Sequence, residues 1–158
     1  MQFRQQIAQT IRRIPLLMRA AYYVYRFFQP KFSIGVVGVV INDQQEVLLV
    51  EHVFHPKRPW GLPGGWIGFD EDPATTAQRE ISEELGLDVS IKQLLVAEKT
   101  QYHHIDFAYL CHSSSTDIAK LSYELLGYDW FTRQTLPPIH AFHYLAIEAA
   151  FDVLKMKE

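Results

Sequence analysis

Three glutamates, Glu80, Glu83 and Glu84, stand three and four residues apart in a segment with helical apolar spacing. On an α-helix those spacings put the side chains along one side, about 5–6 Å apart. On a helical wheel their mean direction falls about 110° from the apolar stripe of Ala74, Ala77, Ile81 and Leu85, at the edge of the core. Like charges so placed repel by roughly 0.2–0.5 kcal/mol per pair. Two readings follow. A glutamate-rich helix face is commonly plain solvated surface. Alternatively a divalent cation gathers the carboxylates, whose oxygens are the donors magnesium prefers, and the repulsion becomes binding energy. A cluster of that kind supports metal-assisted attack by water.

The helix that carries them has the clearest punctuation in the chain. Asp72 is a good N-cap, Pro73 suits the first helical position, and Gly86 is placed to end the helix. Before it, residues 55–65 hold three prolines and three glycines, a loop of demanding backbone geometry. Upstream again, residues 32–41 read as a buried strand. The turn Asn42-Asp43-Gln44-Gln45 leads to a second strand at 46–54, which suggests a hairpin. Strands are expected at about 91–99, 104–112 and 126–131. A last helix is expected at 139–155, with Ile139, Phe142, Ala146, Ala149 and Val153 on one face. Residues 3–28 read as a helix broken or kinked at Pro15. There are no repeats and no low-complexity linker, so the elements predict helices on both faces of one mixed sheet.

The frame around the glutamates carries more information than the glutamates alone. Five residues separate Gly65 from Glu71, and seven more lead to Arg79-Glu80-Ile81-Ser82-Glu83-Glu84-Leu85-Gly86-Leu87. This resembles the Nudix box, G-x5-E-x7-R-E-U-x-E-E-x-G-U with U aliphatic, and every specified position is filled. The flanking Trp60-Gly61-Leu62-Pro63-Gly64-Gly65 is similar to the family's usual entry into the box. Nine fixed or restricted positions over 23 residues set this apart from a lone glycine pattern.

The resemblance implies an α/β (α+β) fold, a Nudix-type α/β/α sandwich around a mixed β-sheet, here with an extra N-terminal amphipathic helix. It implies a metal-dependent pyrophosphohydrolase that cleaves a phosphoanhydride bond in a nucleoside diphosphate derivative: a nucleoside triphosphate, a nucleotide sugar or a dinucleoside polyphosphate. The ligands it implies for Mg²⁺ or Mn²⁺ are Glu80, Glu83, Glu84 and the carbonyl of Gly64. Glu71 and Arg79 are then the pair that braces the loop against the helix, with a surface ion pair as the alternative, and Gly65 and Gly86 are structural. A Nudix-fold sensor that binds a nucleotide without cleaving it is the rival function, but such modules often lose box carboxylates, and all three are present. Two departures fall in the loop: Gly68 stands where many members have glutamate, and Asp70 where glycine is usual.

Outside the box, Ser122-Tyr123-Glu124-Leu125 is similar to a later Nudix segment that turns a glutamate toward the metals. That makes Glu124 an extra ligand or general base, or else a surface residue. Asp106, after His103 and His104, is either a base or substrate contact or a polar residue at a strand edge. Near the active loop, Lys57 or Arg58 could hold a distal phosphate. Trp60 either stacks on a base or packs beneath the loop. Tyr102 is a weak pointer toward dinucleoside polyphosphates.

Composition bounds the rest. The 158 residues are 48% hydrophobic and 21% charged, ordinary for a globular protein, and a net charge of −3 gives no reason to expect a nucleic-acid partner. The charge is uneven. Residues 1–42 carry Arg4, Arg12, Arg13, Arg19, Arg26 and Lys31 with no acid, leaving nine basic and 18 acidic residues for the remainder. The expected organisation is a basic amphipathic arm at 1–31 and a catalytic domain at 32–158. For the arm, packing on its own domain or in a homodimer leads, ahead of peripheral contact with an anionic membrane, a targeting segment or a lid. The lone Cys111 reads as core and points to a reducing, cytoplasmic setting.

Overall fold

The computed structural model describes residues 15–156. Its elements are α1 (Pro15–Phe28), β1 (Ser33–Val40), β2 (Glu46–His52), β3 (Trp60–Gly61), β4 (Gly64–Trp66) and α2 (Pro73–Leu85). There follow β5 (Val89–Gln101), β6 (His104–Ser113), β7 (Leu125–Thr132) and α3 (Ala141–Lys155). Contacts divide the chain into two units, Met1–Lys31 and Phe32–Glu158. The expected helix over residues 3–14 lies outside the described residues. No helix among those described is long and apolar enough to cross a membrane.

The strands form two sheets where one was expected. A four-stranded mixed sheet runs β4-β1-β6-β5, with β1 and β6 parallel, and a three-stranded antiparallel sheet runs β3-β2-β7. The predicted β1–β2 hairpin is therefore only a turn. Asn42 closes it by accepting the Glu46 N–H on its carbonyl side chain at 2.8 Å, and a single bridge joins Ile41 to Val47. Beyond that bridge the strands diverge, because each is apolar on both faces and must be covered twice. Val47 and Leu49 of β2 face the core under α3, while Leu48 and Val50 face the core under α2.

Helices α2 and α3 each close one of these cores. From α2 come Ala77, Ile81 and Leu85, all fully buried, whereas Ala74 at the start of the expected stripe is only half-buried. The buried side of α3 is Phe142, Ala146, Ile147, Ala150 and Phe151. The predicted face is thus widened: Phe142 and Ala146 lie on it as expected, Ala149 is only half-buried, and Ile147, Ala150 and Phe151 are buried beside it. Burying a side chain such as Ile81 or Leu85 contributes roughly 1.5–3 kcal/mol, so the helix bearing the glutamates is held firmly by the apolar side next to them.

Candidate active site

Local chemistry sets the position of α2. Asp72 caps it by accepting the Ala74 N–H at 2.9 Å, and Pro73 fills the first turn, where its missing N–H leaves no bond unmade. At the far end Gly86 adopts φ 63° and donates its N–H to the Ser82 carbonyl. Chain that follows β6 is fastened to this end, where the Ser122 N–H donates to the Glu84 carbonyl at 2.8 Å. That bond brings Glu124 close enough for its charge to act on Glu84.

The three helix glutamates differ in environment. Glu84 is 7% exposed, and its Oε2 accepts the Gly64 N–H at 3.0 Å. Burial pushes its carboxyl up to about 8, opposed by that hydrogen bond and reinforced by the nearby Glu80 and Glu124 charges. Glu80 is half-buried and is also raised, chiefly by burial, against the pull of Arg79. Glu83 has a side chain 60% exposed.

Gly64 and Gly65 are required by close approach. Gly64 has φ 152°, and a Cβ there would meet the Val36 carbonyl and lie 2.7 Å from the Val37 Cα. At Gly65 a Cβ would meet the Glu80 carboxyl carbon at 2.5 Å. Backbone thus passes close to the Glu80 and Glu84 carboxylates.

Arg79 organises the loop. Its Nε donates to Glu71 Oε1 at 2.8 Å and a terminal nitrogen to Oε2 at 3.0 Å, a two-pronged pairing that holds the Glu71 carboxyl down to about 2. Glu71 also accepts the Gly68 N–H at 2.9 Å. A Cβ at Gly68 would stand 2.9 Å from the same oxygen, so a larger residue would press on the brace. Asp70 has φ 59°, the left-handed conformation, which is why glycine suits that place.

Arg79 reaches further, to Glu80 at 2.8 Å and to Glu83 at 3.0 Å. Its guanidinium therefore stands among the carboxylates as their cation. Among the described residues no three acidic, histidine or cysteine side chains converge as ready-made metal ligands. The donors nevertheless fit a hard dication: oxygen ligands only, two carboxyls raised by burial, and a backbone cradle that a Cβ would fill.

A cleft of about 570 Å³ opens near this loop, with neither Glu80, Glu83 nor Glu84 in its wall. Arg58, Trp60, His104 and Asp106 line it, together with His52, His55, His140 and His143, which sequence reasoning missed. No motif announces these last four, since they come from β2, the loop after it and the start of α3. His143 is the best placed. Its Nδ1 accepts the Leu62 N–H at 3.0 Å, and burial with neighbouring histidines pushes its imidazole down to about 4. It stays neutral, with the remaining proton on Nε2. Asp106 accepts from the Thr100 hydroxyl and lies 3.0 Å from His104 Nε2, whose other ring nitrogen is 2.7 Å from the Ser33 hydroxyl.

The other candidates separate. Trp60 lines the cleft and also meets Phe131 edge-on at 5.1 Å, so packing and contact coexist. Arg58 lines the cleft but the exposed Lys57 does not. Tyr102, 87% exposed at the tip of the β5–β6 turn, also lies outside it.

The family model described as NUDIX domain matches residues 31–150. A MutT-like protein of Streptomyces ambofaciens is 30% identical over 104 residues, 65% of this chain and 66% of that protein. Two other relatives, Nudix hydrolase 8 of Arabidopsis thaliana and nucleoside diphosphate-linked moiety X motif 6 of Xenopus laevis, are matched over only 23% and 33% of their length. Among solved structures, a MutT NUDIX hydrolase from Burkholderia pseudomallei superposes with a TM-score of 0.64 at 26% identity, covering 75% of this chain and 98% of that one.

Proposed function

The chain belongs to the Nudix family, and from that premise we propose that it is a divalent-metal-dependent pyrophosphohydrolase acting on a nucleoside diphosphate derivative. The observation that carries this reading is the Gly64–Glu84 contact, which lays a glycine backbone over Glu80 and Glu84 on a rigid, capped helix. Glu80, Glu83, Glu84 and the Gly64 carbonyl would hold Mg²⁺ or Mn²⁺. When bound, the ion would lower the pKa of water and offset charge on the reacting phosphate oxygens.

The chain's own groups account for the rest. Water attacks one phosphorus, the P–O bond to the neighbouring phosphate breaks, and the electron pair leaves on that oxygen. Glu124, whose charge acts on Glu84, would supply a further ligand or take the proton of the attacking water. Arg79 keeps Glu71, Glu80 and Glu83 oriented. The remainder of the substrate occupies the histidine-lined cleft, with Arg58 toward its phosphates and Trp60 or Asp106 against the nucleoside. Residues 61–65 join cleft to carboxylates, since Gly61 lines the one and Gly64 meets the other. The setting proposed is the cytoplasm, where buried Cys111, its thiol pushed up to about 12, remains reduced.

The test is a panel of nucleoside triphosphates, nucleotide sugars and dinucleoside polyphosphates with Mg²⁺, read as nucleoside monophosphate or phosphate release. Turnover of at least one class, lost with chelator and reduced by orders of magnitude in Glu83→Gln, is the expected result. Tight nucleotide binding with no product would instead establish a sensor module.

A further inference from the structure

The helix α1 carries an amphipathic surface that the hydrolase reading does not use. None of its residues is buried, and Leu17, Val24 and Phe28 are 61%, 59% and 76% exposed. At about 100° per residue these three and Ala21 share one sector. Arg19 and Arg26 fall together on the opposite side; Tyr25 flanks the apolar sector, Tyr23 lies nearer the arginines, and exposed Leu16 and Phe27 lie between Tyr23 and the sector. Residues 1–42 contain six cations and no acid.

We propose that α1 is an interfacial anchor that lies in the plane of an anionic lipid surface. Leu17, Val24 and Phe28 enter the acyl boundary, and the arginines stay among the headgroups. Two features favour a bilayer over other occupants. The charge is of one sign, so the complementary surface is negative. Tyr25 beside the apolar sector and Tyr23 toward the arginines carry polar tips that suit headgroup depth. No helix among the described residues is long and apolar enough to cross a bilayer, so in this proposal α1 lies flat.

The full chain is to be co-sedimented with vesicles of phosphatidylcholine alone or mixed with phosphatidylglycerol, at low and high salt. Expected are pelleting with the anionic vesicles about tenfold above the neutral ones and release by high salt. Arg19→Gln with Arg26→Gln should erase the preference for anionic lipid. Leu17→Ser with Val24→Ser and Phe28→Ser should abolish pelleting, while nucleotide turnover in solution stays unchanged and certifies the fold. Equal binding to both vesicles, or none, overturns the proposal. So does a dimer in sedimentation velocity that the serine variant dissociates.

Discussion

The Gly64 N–H and the Glu84 carboxylate meet at 3.0 Å across twenty residues of chain. One backbone group thereby ties the loop entering β4 to the most buried acid among the described residues. A single N–H does not offset the burial of a full charge, and the carboxyl titrates near 8. Glu84 is thus a place where stability has been surrendered to keep a carboxylate in position.

Glu84→Gln should stabilise the metal-free protein and abolish its turnover. In the folded protein the acid keeps its proton up to about pH 8, whereas in the unfolded chain it ionises near its ordinary value. The wild type therefore loses stability as pH rises through that interval, and glutamine does not. Chelator-treated melts should show the variant ahead by on the order of 2–4 kcal/mol at pH 8 and level at pH 4. Added Mg²⁺ should raise the wild-type melting temperature only. A variant that melts below wild type at pH 8 would refute the account.

Glu71→Gln tests the brace. The Glu71 carboxyl is held down to about 2 by Arg79, so its contribution is complete above the ordinary carboxylate value and fades as pH falls toward 2. The variant should melt several degrees below wild type at pH 7, with the gap narrowing in acid. Turnover should fall as well, because a loosened Arg79 no longer orients Glu80 and Glu83. A gap constant from pH 7 to pH 2.5 would show that the pairing contributes nothing.

Much of this was legible beforehand, for identifiable reasons. Asp72, Pro73 and Gly86 act within a few residues of themselves, so the ends of α2 could be placed from the chain alone. The glycines at 64 and 65 could be read because the box sets their distance to the glutamates. The sheet arrangement could not. Whether the turn at Asn42 continues into a hairpin depends on what covers β1 and β2, which neither strand states. His143 was invisible for a similar reason: its partner Leu62 is 81 residues away, and its role exists only once α3 docks.

His143→Gln bears on that docking. The wild-type imidazole is pushed down to about 4, so between there and its ordinary value the unfolded chain takes up a proton that the folded one refuses. Stability should rise with pH across this window, by on the order of 3 kcal/mol, and the glutamine variant should lack that part of the slope. Urea unfolding at pH 4.5 and 7.5 measures it. Parallel slopes in the two proteins would mean that His143 is already exposed to protons in the fold.

Asp70 offers a gain of stability in the same loop. Its φ of 59° is costly for a residue with a Cβ, though aspartate tolerates it better than most. No shared bond compensates nearby: among the described side-chain hydrogen bonds of this loop the carboxylates engaged are Glu71 and Asp72. Glycine removes the steric cost but frees the unfolded chain, and the two effects oppose each other. Where the native φ is positive the first effect wins, so Asp70→Gly should raise stability by about 0.5–1 kcal/mol. It should leave turnover within about twofold, because Arg79 and Glu71 hold the loop from the other side. Asp70→Ala keeps the Cβ and loses the carboxylate, and it separates backbone strain from charge. If alanine stabilises as much as glycine, the effect came from removing a negative charge beside the acidic cluster, and the strain argument fails.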